Sequence, residues 1–169
     1  GIGKTTLARE VFIASKVEFE VNAWVCVSDG EFDVTRISKS ILENITGSSS
    51  LPNDLATVQD KLKEQVVGKK FLLVLDDVWS SVYSKWQILQ SPFTASAVGS
   101  RIIVTTRDEG VALKLRPSGF HRVSLLKPED CWLVFSTCAF EHGAVQEHHE
   151  IELIREKVIE KSDGLPLAL

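Results

Sequence analysis

The first residues with chemistry in them are Gly1-Ile2-Gly3-Lys4-Thr5-Thr6. They match the end of the pattern G-x-x-x-x-G-K-S/T, whose first glycine would precede residue 1. Glycines let successive backbone N–H groups turn inward around phosphate oxygens. A helix starting near Lys4 presents unpaired N–H groups and its positive dipole end to the same anion. Lys4 would reach the β- and γ-phosphates as a point charge, and Thr5 would place its hydroxyl on Mg²⁺. Read alone, the segment also fits a glycine-rich turn before an ordinary helix, so a second site is required.

Lys69 to Trp79 supplies it: Phe71-Leu72-Leu73-Val74-Leu75 is an apolar run closed by Asp76-Asp77. Such a run reads as a strand buried on both faces, the usual state of a parallel sheet. Ligands in open α/β sheets bind beyond the carboxyl ends of strands. Asp76 is therefore placed to hold Mg²⁺ through its water shell, as a Walker-B aspartate does. Asp77 is placed to orient an attacking water. The competing reading, two solvated turn aspartates, loses weight beside the phosphate loop. Arg107 closes a third run, Arg101 to Arg107, on the same sheet edge if the strands are parallel; there it would contact a γ-phosphate through its planar fork. Spacing leaves open that Arg107 is an ordinary charge at a strand end.

These residues need elements to hold them. Helices are predicted over Thr5–Ala14, over Thr35–Ile45 (Ile37, Ile41 and Ile45 at steps of four) and from Leu55 through Val58, Leu62 and Val66, closed by Gly68. Val21–Val27 reads as a strand, Ser28–Gly30 as a turn, and 47–50 as a surface link. Residues 80–98 read as polar and irregular, with an apolar patch at Trp86 and Leu89. A short helix is predicted over Asp108–Leu115, a weak last strand over Arg122–Leu126, and a helix from Pro128 to Phe140. Ile151, Ile154 and Val158 mark a final helix stopped by Gly164. Alternating strands and helices imply a parallel sheet with helices on both faces, and from about Leu126 the signal is wholly helical. The expected division is an α/β domain over 1–123 and a helical subdomain over 124–169.

The 169 residues suit one domain, or one and part of another. A net charge of −4 gives no basic surface for nucleic acid or anionic membrane. Cys26, Cys131 and Cys138 form no C-x-x-C pair, and their odd number argues against a disulfide framework. Cys131 and Cys138 are expected to pack on a helix, and a reducing compartment, the cytosol, is implied. No stretch approaches the ~20 apolar residues of a membrane span. His142, His148 and His149 match no zinc spacing and read as a solvated linker.

The motifs, taken in order, resemble the NB-ARC nucleotide-binding domain of plant disease-resistance proteins with leucine-rich repeats. The phosphate loop, Phe19–Phe32 with Ala23-Trp24-Val25-Cys26-Val27-Ser28, Leu72–Trp79, Gly99–Arg107, Leu125–Phe140 and Gly164-Leu165-Pro166-Leu167-Ala168 resemble six successive family blocks. The resemblance implies a P-loop NTPase sheet followed by the start of the helical ARC subdomain. It implies that Pro166 packs near the adenine, that Arg107 senses phosphate, and that ATP, ADP and Mg²⁺ are the cofactors. Trp79 is similar to the coiled-coil rather than the Toll-like subclass. An ADP-bound resting form and an ATP-bound form that oligomerises in plant immunity are implied, with coiled-coil and leucine-rich-repeat domains as intramolecular partners, no direct nucleic acid, and membrane association open. The strand before the phosphate loop, the loop's first half, the second ARC subdomain with its Met-His-Asp block and the repeats lie outside these residues, so the expectation is a partial sequence whose sheet lacks a central member. Rival readings are a fast ATPase, a remodelling motor or small-molecule kinase, and an interaction domain with a decayed site; intact Lys4, Thr5, Asp76, Asp77 and Arg107 oppose the last.

Overall fold

The computed structural model describes residues 1–27, 32–78, 83–115, 117–139 and 149–168, with the side chains of 83 and 149–153 left aside. The chain divides into two compact units: Thr5–Phe120, and Gly1–Lys4 together with His121–Leu169.

In the first unit a parallel sheet is built from β1 (Val21–Cys26), β2 (Phe71–Asp76) and β3 (Arg101–Val104), in that spatial order. Val21 lies opposite Phe71 and Cys26 opposite Asp76; Leu72 lies opposite Arg101 and Leu75 opposite Val104. Every residue of β2 is buried, as its apolar run requires. β1 alternates instead: Val21, Ala23 and Val25 are buried, whereas Asn22 and Trp24 are only half-buried.

On one face, Val21, Ala23, Val25, Phe71, Leu73 and Leu75 share a core with α2 (Val34–Thr46) and α3 (Leu55–Val66). The predicted spacing is what fills it: Ile37, Ile41, Val58, Leu62 and Val66 have no exposed surface. Asp33 caps α2, accepting the Thr35 and Arg36 N–H groups at 2.8 and 3.3 Å, and Asp54 caps α3 through the Thr57 N–H at 2.8 Å. Gly47, at φ 69°, ends α2 in the left-handed conformation that glycine adopts without strain. On the other face lies α1 (Lys4–Ser15), where Phe12 meets Trp24 edge-on at 5.6 Å. Helices therefore cover both faces, as expected.

Three secondary-structure expectations in this unit and just after it need correction. Residues 80–98 are not irregular throughout: α4 (Tyr83–Gln90) runs into a short 3₁₀ turn, Ser91–Ala95. Trp86, Leu89 and Phe93, at steps of three and four, insert into the core, and Gln59 donates to the Ile88 carbonyl at 2.7 Å. The third run is a strand for four residues only, and it is half-exposed rather than buried, because β3 stands at the end of the strand order. Arg122–Leu126 forms no strand; the Leu126 N–H is used by the Gly164 carbonyl at 2.9 Å. α5 (Glu109–Lys114) is the expected short helix, capped by Asp108 through the Gly110 N–H at 2.7 Å.

The second unit contains α6 (Pro128–Ala139) and α7 (His149–Ser162), then a 3₁₀ turn at Pro166–Ala168. Cys131 is buried as expected, but Cys138 is exposed, so it does not pack. The expectations for the Ser28–Gly30 turn, Trp79, Phe140, His142 and His148, and for the His149 side chain, fall outside the described residues. No helix among the described residues is long and apolar enough to cross a membrane.

Candidate functional site

The site grows from the carboxyl end of β2. The strand delivers Asp76 with 5% of its surface exposed, and the Asp76 carbonyl accepts the Val27 N–H at 2.9 Å, tying it to the end of β1. A carboxylate this buried needs partners. Here they are hydroxyls: Thr5 Oγ1 stands 3.0 Å from both Asp76 oxygens, and Thr105 Oγ1 donates to Asp76 Oδ1 at 2.6 Å. Residues 71 positions apart are thus brought into direct contact, the phosphate-loop threonine on the strand-end aspartate.

Thr105 was not singled out by the sequence. β3 places Val104 opposite Leu75, so the next residue comes level with Asp76. The Thr105 N–H donates to the Leu75 carbonyl at 3.0 Å, and its own carbonyl accepts the Val78 N–H at 2.9 Å. Its hydroxyl also accepts the Asp77 N–H at 2.8 Å. Four hydrogen bonds therefore fasten one threonine to the end of β2. The available signal was a polar β-branched residue directly after an apolar strand, at the level of the aspartates.

Asp77 has φ 58°. Aspartate tolerates this left-handed conformation better than most residues, though at some cost. The turn sends its carboxylate to Arg107, whose Nε and Nη2 donate to Oδ1 and Oδ2 at 3.1 and 3.3 Å. Arg107 remains 77% exposed at its side chain, against 25% for Asp77. Arg107 lies three residues beyond β3 rather than at its last position.

The remaining expected residues belong to the second unit or flank it. Gly3 has φ 91°, a conformation that favours glycine, and a Cβ there would stand 3.8 Å from Pro166 Cγ. Gly1 leaves no room for a side chain against Leu167. Ile2 is half-buried, Lys4 opens α1, and Thr6 is exposed. Within this unit the phosphate-loop glycines and Pro166 are therefore neighbours.

The donor set at Asp76 fits Mg²⁺. Both groups supply hard oxygens, and among the described residues Asp76 pairs with no cationic side chain. No cluster of three or more His, Cys, Asp or Glu forms there among the described residues. A cation held by Thr5 and Asp76 would complete its shell with phosphate oxygens and water, which is how Mg²⁺ is commonly bound.

A parallel sheet clad by helices on both faces, with a glycine-rich loop and its threonine on the strand-end aspartate, defines a P-loop NTPase domain. The NB-ARC domain model matches residues 1–145, and the chain belongs to that family. It is 40% identical over 171 residues, 99% of its length, to disease resistance protein RGA2 of Solanum bulbocastanum, and 38% identical over 174 residues to disease resistance RPP13-like protein 4 of Arabidopsis thaliana. It spans 17% and 20% of the length of those two proteins.

Proposed function

We propose that the chain is the ADP- and ATP-binding part of a molecular switch in plant defence. Gly1, Ile2, Gly3, Lys4, Thr5 and Thr6 would hold the phosphates, Pro166 would pack near the adenine, and Arg107 would respond to the γ-phosphate. Thr5 and Asp76 would hold Mg²⁺, which when bound neutralises charge on the β- and γ-phosphate oxygens. Asp77 would orient the attacking water. Hydrolysis is slow in this reading, because a switch must persist in each state, and loss of the γ-phosphate shifts the population between forms. The boundary between α/β and helical parts is set near residue 123. A cytoplasmic location, oligomerisation in the ATP form and flanking coiled-coil and leucine-rich-repeat domains belong to the same proposal.

The observation that carries the reading is the 3.0 Å contact of Thr5 Oγ1 with the buried Asp76 carboxylate. The defence role rests on the disease-resistance relatives. The test is the nucleotide released on denaturing the purified full-length protein. Stoichiometric ADP, lost in Lys4→Arg, is expected. A site that stays empty and binds nothing on addition of ATP or ADP rejects the proposal, and turnover well above about one per minute makes the protein an ordinary ATPase, since even intrinsic GTPase switches hydrolyse at about 10⁻⁴–10⁻² per second.

A further inference from the structure

From the paired side chains at the strand ends, we infer that Asp77 sets the preference of this site between nucleoside di- and triphosphate by holding Arg107. The inference rests on the nucleotide reading above and assigns Asp77 a role separate from orienting water.

The geometry is specific. The Nε–Nη2 edge of the guanidinium, the edge best shaped for a two-oxygen partner, faces both oxygens of Asp77. Asp77 is itself fixed: its N–H is held by Thr105 Oγ1 at 2.8 Å, and Val78, next in the chain, is fully buried with its N–H on the Thr105 carbonyl. Arg107 is the looser partner, mostly in solvent. A γ-phosphate arriving beside Thr5 and Asp76 meets a guanidinium already neutralised by a carboxylate. To take Arg107 as a full charge, the phosphate must displace Asp77 from that edge. A diphosphate has no oxygen there and leaves the pair intact. The carboxylate therefore subtracts from triphosphate binding and not from diphosphate binding.

The magnitude is modest, because exposed ion pairs contribute at most about 1 kcal/mol, a factor of about five. Asp77→Asn is the informative change. Asparagine tolerates the left-handed backbone as aspartate does, keeps the shape and removes the charge. Dissociation constants for ADP and for a non-hydrolysable ATP analogue are measured on the full-length protein, its Asp77→Asn and Arg107→Ala variants and the double variant. Hydrolysis does not enter the readout.

Asp77→Asn is expected to raise the preference for the triphosphate analogue about two- to fivefold in the parent. In the Arg107→Ala background the gain falls to what removal of one negative charge near phosphate gives by itself. Equal gains in both backgrounds overturn the inference, and so does no gain in the parent. A lowered preference overturns it too, showing that Asp77 aims Arg107 at the phosphate. Nucleotide binding unaffected by Lys4→Ala rejects the site reading and this inference with it. Lys4-dependent binding without Asp77–Arg107 coupling rejects the inference alone.

Discussion

Replacing Thr105 by valine removes one hydroxyl and almost nothing else. Valine has the same shape and a high preference for strands, so the change isolates the hydrogen bonds. Two are lost. The bond to Asp76 Oδ1, 2.6 Å long and made to a carboxylate, belongs to the charge-assisted class worth about 1.5–3 kcal/mol. The Asp77 N–H loses its 2.8 Å acceptor, and an orphaned buried donor costs about 1–3 kcal/mol. Asp76 keeps Thr5, and water reaches the partly exposed Asp77, so the sum belongs near its lower end, about 2–4 kcal/mol. At ~3 °C per kcal/mol for a domain of this size, the thermal midpoint falls by about 6–12 °C. Circular dichroism melts of the parent and variant read this directly. Thr106→Val is the control: its hydroxyl only accepts the exposed Asp108 N–H at 3.1 Å and donates weakly to the Asp108 carbonyl, so its cost stays under about 1 kcal/mol. A Thr105 variant that melts within about 2 °C of the parent, or no lower than the Thr106 variant, refutes the view that this hydroxyl holds the end of β2.

Gly164 has φ 73°, and a Cβ there would stand 2.8 Å from Leu125 Cβ and 2.9 Å from the Leu126 carbonyl oxygen. Gly164→Ala is expected to cost about 2–4 kcal/mol, seen as faster proteolysis of residues 121–168, whereas Gly68→Ala, at φ 67° with open space around it, costs only about 1 kcal/mol; equal effects would mean that crowding at Gly164 is relieved without strain. The Thr57 N–H bonded to Asp54 holds that carboxyl below the usual Asp value of about 3.9. A depressed folded pKa means a contribution fully present above the unfolded value and lost as pH falls through the folded one, so the protection of the Thr57 amide, its exchange rate relative to an unstructured peptide at the same pH, is expected to fall below about pH 4 and to lose that dependence in Asp54→Asn. Asp77→Ala in the full-length protein is expected to retain nucleotide while hydrolysing it more slowly; unchanged turnover removes the water-orienting role.

Much of the frame was legible because it rests on local rules. The Ile37–Ile41–Ile45 and Leu55–Val58–Leu62–Val66 ladders are helical spacings, and both helices form where those ladders lie. The apolar run before Asp76 is buried throughout. What escaped depends on partners distant in sequence. Among the described side chains of α4, Trp86 and Leu89 enter the core while apolar Ile88 between them is exposed, too little for a period to show without α3 beside it. Arg122–Leu126 has strand-forming residues, yet its Leu126 N–H is taken by Gly164. Charge and spacing marked both Asp77 and Arg107 but said nothing of their pairing, which follows from a left-handed turn at Asp77.

Register connects these points. A one-residue slip turns every side chain of a strand to the opposite face, and burial of one apolar face normally forbids it. β2 has no such protection: its residues are apolar up to Asp76 and buried on both faces. The alternation that specifies register lies in its neighbour, where Val21, Ala23 and Val25 enter the core and Asn22 and Trp24 do not. On the β3 side Ile102, Ile103 and Val104 are all half-buried and discriminate weakly. There the polar end acts instead. Slipping β3 by one residue would remove Thr105 from Asp76 and Asp77 together, breaking both side-chain bonds and parting Arg107 from Asp77. The hydrogen bonds that shape the candidate site are therefore also the ones that select the pairing of β2 with β3, so loss of the Thr105 hydroxyl should loosen the β3 ladder along with the carboxylates.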